Sequence, residues 1–335
     1  MSAPTLSGVD RMTILLHRRV LWLGLGLAVL AGVLAGAVRL WTRAASDRAA
    51  CLAGADRAEE CGSGIFGYRS AEGWDRLFAE SGATLLLVLP ALLAALVAGP
   101  VIARELDGGL HRLAWTQSVT PARWLTSRLA VFATAALALS TVLVLVYRLI
   151  WQPPAADPDG YWSYGLYWHT TGSYEATGPV LVALSLLGVS VGALAGVVTR
   201  RTIVALASGA LAMAVVQFAL VRIRFRLWPH STASWLTGQN GSPPAGKLPS
   251  GPIWYGPGGW INGSGERLPF SLCDNAGGTE AYVACRERNN VVGQYVDFHP
   301  ASHHWPLQFV ETGIILALTA VAVLVTFRVL RSRTP

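Results

Sequence analysis

Three groups of residues have the types and spacing to do chemistry. His299, His303 and His304 crowd one short stretch, and neutral imidazoles that close can converge on zinc or copper. No carboxylate or Cys lies at a matching spacing, and Pro300 and Pro306 break helical i, i+4 geometry. The rival reading is an interfacial loop with Trp305 at headgroup depth; no metal centre is assigned. The second group is four cysteines: Cys51 and Cys61 share one long polar segment, and Cys273 and Cys285 share another. Neither pair has the two-to-four-residue spacing of a zinc knuckle. Two local disulfides in an oxidising compartment are the favoured reading, although spacing alone permits three connectivities. The third group is the charged run Arg104 to Arg123, which contains Glu105, Asp107, His111 and Arg112 and lies between two long apolar runs.

Catalytic signatures are missing from the sequence. The sole lysine, Lys247, is followed by Leu248 and Pro249, so there is no phosphate-binding Gly-x-x-x-x-Gly-Lys-Ser/Thr loop. No His-Glu-x-x-His occurs, and no Ser, His and acid are placed inside the apolar runs as a buried dyad. Gln217 is polar but carries no proton, and Glu311 falls near the outer end of the last run, so an ion-coupled relay is disfavoured. The chain is not expected to be an enzyme, and any work it does on a substrate needs energy from a partner.

The elements that position these groups are membrane spans. Apolar stretches at Leu21 to Val38, Ala83 to Ala103, Leu125 to Ile150, Val180 to Val198, Ile203 to Val221 and Phe309 to Phe327 each approach the ~20 residues a helix needs to cross a bilayer. The expected fold is an all-α membrane protein of six transmembrane helices. Residues 1–20 are expected to form a cytoplasmic amphipathic segment or a frayed basic leader, and residues 21–221 to hold the first five helices with a coupling loop at 104–124. Residues 222–306 would be an extracytoplasmic loop subdomain, and residues 307–335 the sixth helix with a basic tail. The run Gly251-Pro252-Ile253-Trp254-Tyr255-Gly256-Pro257-Gly258-Gly259-Trp260 predicts an irregular, turn-rich cap in that subdomain. Short arginine-dense pieces, such as Arg200 and Arg201 or Arg328, Arg331 and Arg333, place both termini in the cytoplasm of a multi-pass cell-membrane protein. Ser185, Gly188, Gly192 and Gly196 have the small-xxx-small spacing that lets helices pack closely.

Within the charged run, Leu106, Leu110 and Leu113 recur at i, i+4 and i+7 after a Gly99-Pro100 break, one apolar stripe on a short helix. Thr120-Pro121 reads as the N-cap and first position of the following span. Such a helix either receives another protein or rests on its own bundle.

The run Ala103 to Leu125 resembles the loop between the second and third spans of ABC-2 type transporter permeases, and the six-span layout is similar too. In that family a Glu opens the coupling helix, a Gly followed by a small residue turns it, and a Ser-Val/Pro-x-x-Arg segment leads into the third span. Glu105, Gly109, Ser118, Val119 and Arg123 match, whereas Leu110 stands where Thr is common and Pro121 replaces a more usual Ser or Arg. The resemblance implies a permease subunit of an ABC exporter whose coupling segment, Arg104, Glu105, Leu106, Gly109, Leu110, Arg112, Leu113 and Arg123, contacts separate ABC ATPase subunits. Those partners would bind ATP and Mg, and this chain no cofactor. A second copy or a sister permease and membrane lipid complete the implied partners, with no nucleic acid. The competing functions are a non-transporting sensor with a ligand-binding cap, and a membrane enzyme using His169 or the His299 to His304 cluster.

Overall fold

The computed structural model describes residues 22, 24, 26, 28–41, 68–108, 120–151, 166–236, 248–249, 252–274 and 277–333. Cys51, Cys61, Gly109, Leu110, Arg112, Leu113 and the amphipathic N-terminal segment lie outside them. Among the described residues, five helical stretches are long and apolar enough to cross a membrane: Gly73–Asp107, Pro121–Ile150, Pro179–Thr199, Thr202–Arg226 and Ala301–Ser332. The first apolar run is described as a shorter helix, α1 (Ala28–Trp41). This is a mostly helical membrane protein.

The second stretch is compound. Helix α2 (Tyr68–Leu92) passes into a π-helical turn, Leu93–Ala98, and then into α3 (Gly99–Asp107). The Gly99-Pro100 pair was expected to break the helix and does not. Pro100 falls in the first turn after the π segment, where its missing N–H interrupts no established α-type bond. Pro90 is truly internal, and one turn before it the Leu87 carbonyl accepts a hydrogen bond from Gln217 Nε2 at 2.7 Å. Gln217, a polar side chain on an apolar helix, thus finds its hydrogen-bond partner on a neighbouring helix.

Helix α4 (Pro121–Ile150) starts as its sequence predicts, with Thr120 Oγ1 accepting from the Arg123 amide at 3.3 Å and Pro121 in the first turn. A short helix, α5 (Ser173–Ala176), precedes α6 (Pro179–Thr199), and a tight turn at Arg200 (φ 52°) leads into α7 (Thr202–Ile223). Helix α6 is the axle of the bundle. A Cβ on Gly192 would come within 2.6 Å of the Ala94 carbonyl oxygen and one on Gly196 within 2.7 Å of that of Gly99, while one on Gly188 would overlap the Pro90 carbonyl. The small-residue face therefore does what its spacing predicts: it seats the backbone of the irregular α2–α3 span.

Beyond α7 the chain forms a four-stranded antiparallel sheet, β1 (Ser231–Leu236), β2 (Trp254–Asn262), β3 (Arg267–Pro269) and β4 (Val291–His299), in the order β1-β4-β2-β3. This corrects the expectation of an irregular cap. The register shifts between Tyr255 and Gly258, a bulge that absorbs Pro257 without costing a ladder donor. A side chain at Gly259 would overlap the Leu268 carbonyl, so glycine there admits strand β3. Helix α8 (Thr279–Arg288) is tied back by a Cys273–Cys285 disulfide, and α9 (His304–Ser332) returns across the bundle. Replacing Cys285 by Ser is expected to destabilise this cap by about 3 kcal/mol, the value for closing a loop of comparable length. The spans should be unaffected, as hydrogen exchange of cap peptides against span peptides can measure.

Side-chain contacts order the ends. Arg333 donates to the carbonyls of Val197 (3.1 Å) and Val198 (2.7 Å), joining the last turns of α9 and α6. Gly24 and Gly32 face Leu139 and Val146, so α1 runs parallel to α4. The short connections 108–120 and 200–201 and the C-terminal turn of α9 therefore share one end. The last turns of α4 and α7 and the first turns of α6 and α9 lie at the other.

Candidate functional site

At the short-connection end, the last turn of α3 and the first two turns of α4 are clamped together. Glu105 and Arg128 form a two-pronged ion pair, Oε1 to a terminal guanidinium nitrogen at 3.0 Å and Oε2 to Nε at 3.1 Å, with side-chain exposures of 15% and 8%. The parallel geometry is the strong form of the contact, and it neutralises an arginine two turns inside an apolar helix. Leu106 is buried beside Ile102, Trp124 and Leu125. Of the residues assigned to the coupling segment, Glu105 and Leu106 are thus used inside the chain, where a partner-facing role was expected. They fasten the end of α3 to α4. Arg104, Arg123, Asp107 and Gly108 face outward. Arg200, Arg201, Arg328 and Arg331 are exposed at the same end and make that face basic.

The opposite end holds a charge cluster that the sequence reading missed. Arg224 bonds Glu175 Oε1 at 2.6 Å and both oxygens of Glu311, at 2.8 and 3.0 Å. Side-chain exposures are 3% for Arg224, 1% for Glu175 and 0% for Glu311. The Tyr174 ring lies under the guanidinium at 3.9 Å, and burial together with the nearby Glu311 charge pushes its phenol upward. Around this core, Gln308 Nε2 donates to the Tyr174 carbonyl at 2.6 Å and its Oε1 accepts from the Val180 amide at 3.3 Å. Tyr147 and Ser173 share a hydrogen bond, and Arg148 Nε donates to the Thr177 carbonyl at 2.7 Å. One cation and two carboxylates so fix the ends of α7 and α9 to the segment before α6. Glu311 was read only as an outer-end residue, and its partners Arg224 and Glu175 were not paired with it. The signal that could have found them is physical: a carboxylate seven residues into α9 requires a buried cation.

The histidines do not converge. His299 Nε2 meets the Phe225 carbonyl at 2.9 Å, which leaves Nδ1 to accept from His303 Nδ1 at 2.9 Å. His304 turns instead against Trp168 and Tyr174. Among the described residues no three His, Cys, Asp or Glu side chains group as metal ligands. His169 stacks on Trp254 at an interplanar angle of 5°, and burial lowers its pKa from 6.5 to about 4. A folded pKa below the unfolded one contributes stability that is complete above pH 6.5 and is lost as pH falls toward 4. The cap is therefore expected to melt at lower temperature in that window. Because burial shifts His299 in the same direction, His169→Phe should reduce the pH dependence without abolishing it, as thermal unfolding at pH 7.5, 5.5 and 4.5 can test.

A bundle of membrane-length helices, with α3 clamped to α4 at one end and a sheet-bearing cap at the other, is the architecture of a multi-pass membrane component. The sequence model of the ABC-2 membrane transporter related family matches residues 19–224, from the first apolar run to Arg224, and the chain belongs to that family. No curated protein and no solved structure matches the chain. Permeases of this kind are membrane components that typically work with ABC ATPase partners and are not themselves catalytic.

Proposed function

We propose that this chain is the membrane-spanning permease subunit of an ATP-driven exporter, pairing with a second permease copy or a sister permease. The observation that carries the proposal is the family match over residues 19–224, which takes in the whole connection between α3 and α4. The basic end, with Arg104 and Arg123 exposed, faces the cytoplasm, where a separate ABC ATPase binds ATP and Mg and docks on residues 104–124. Both termini lie on that side. The clamp of Glu105 on Arg128 ties the end of α3, where the docking segment begins, to α4, so movement imposed on that end is imposed on both spans. The cap with its Cys273–Cys285 bond faces the oxidising exterior. Substrate leaves on that side.

The test is reconstitution. The chain co-purified with its ATPase and placed in lipid vesicles should hydrolyse Mg-ATP, while the chain alone should neither bind nor hydrolyse nucleotide. Hydrolysis by the isolated chain would overturn the division of labour proposed here.

A further inference from the structure

The π-helical turn presents two unlike faces. Ala94 packs on Gly192 and Gly209, drawing the turn against α6 and α7, whereas Leu93, Leu96, Val97 and Val101 point away from that contact and line a cavity of about 300 Å³. The opposite wall is α4, from Phe132 to Val142, where Ala135, Ala136 and Ala138 leave room. Gly24 and Ala28 of the first apolar run form the third side, and Val189 of α6 closes the base. The volume falls at the lower end of the range for small-molecule sites.

Every described lining residue is Gly, Ala, Val, Leu or Phe, so no side chain there offers a charge or a hydrogen bond, and the exposed surface is mostly apolar. It can select only by shape and apolarity. Its walls lie in the middle of α4 and along the π turn, at hydrocarbon depth, and Leu96 and Val142 at its edge are 58% and 45% exposed on the side where lipid would be. Left empty, the walls would forfeit dispersion contacts that an alkyl chain restores.

We infer that this cavity binds the apolar tail of an amphiphile drawn from the bilayer, entering between α1, the π turn and α4. The tail is held in the protomer and the polar head is left at the membrane interface.

The experiment places the full chain in vesicles containing a phospholipid with a diazirine midway along one acyl chain, and maps photolabel by peptide mass spectrometry. The expected result is labelling of residues 93–101 and 132–142 above that of the exposed α7 face around Leu211. Ala135→Phe should abolish the excess, and Leu211→Phe should leave it unchanged. Should Ala135→Phe fail to fold, Ala138→Leu at the exposed rim fills the same space. Labelling equal on the cavity and on α7, or unmoved by the filling substitution in a folded protein, would mean ordinary contact with surrounding lipid and would overturn the site. The readout requires no ATPase, so failure of the permease reading and failure of this site are separately visible.

Discussion

Arg224→Met is expected to lower the stability of the solubilised protein by about 3–5 kcal/mol, because two buried carboxylates would then face each other without their cation. That is a large share of the roughly 5–15 kcal/mol that separates a native protein from its unfolded state. Arg224→Lys should recover part of the loss, since an ammonium keeps the charge but not the fork that reaches Glu175 and Glu311 together. Arg224→Met combined with Glu175→Gln and Glu311→Leu should recover more, because no charge is then left buried. The control is Arg76→Ala, which removes an i,i+4 pair with Glu80 whose side chains are 50% and 45% exposed. Such pairs contribute only about 0.3–0.5 kcal/mol. Denaturant unfolding in mixed micelles measures all four variants, and a loss at Arg224 no greater than at Arg76 would contradict the role given to the cluster.

The second large effect is expected at the clamp. Glu105→Arg sets two guanidinium groups against each other where Arg128 is only 8% exposed, so the end of α3 must leave α4. Capture of the partner ATPase should be lost while membrane insertion remains normal. Glu105→Gln, which keeps shape and removes charge, should weaken capture less. The charge swap Glu105→Arg with Arg128→Glu should restore it, as expected of a positioning pair and not of a residue that touches the ATPase itself. Recovery of ATPase in pull-downs, set against the amount of inserted chain, reads all three variants. Failure of the swap in a well-folded protein would move Glu105 from positioning to direct contact.

The spans were legible in the sequence because apolar length is a local property, and the Thr120-Pro121 helix start because its capping atoms are three residues apart. The glycine face of α6 was legible for the same reason. The sheet was not: Gly256, Pro257 and Gly258 carry turn chemistry, and only pairing with β4 across more than thirty residues makes that stretch a strand with a bulge. The charge cluster was hidden similarly, since Glu175, Arg224 and Glu311 belong to three separate elements and each meets its opposite charge only across long stretches of chain. At the clamp, Glu105 was singled out but Arg128, inside an expected span, was not. A charge there is the mark of a long-range pair, and its sign names the partner. The stripe of Leu106, Leu110 and Leu113 shows the limit of periodicity. It predicts that one face is buried, and Leu106 is buried on the chain's own Trp124 and Leu125.

The central claim is that the connection between α3 and α4 is the contact for a separate ATPase. The most direct measurement installs a photoreactive residue in place of Gln117 in the tagged full-length chain, irradiates native membranes, and identifies the captured protein after mild-detergent purification. The account predicts one dominant crosslinked partner, a P-loop ATPase, lost in Glu105→Arg and regained in the charge swap. An irradiated, well-folded chain that captures no nucleotide-hydrolysing protein at this position, or that captures a signalling protein instead, would contradict it.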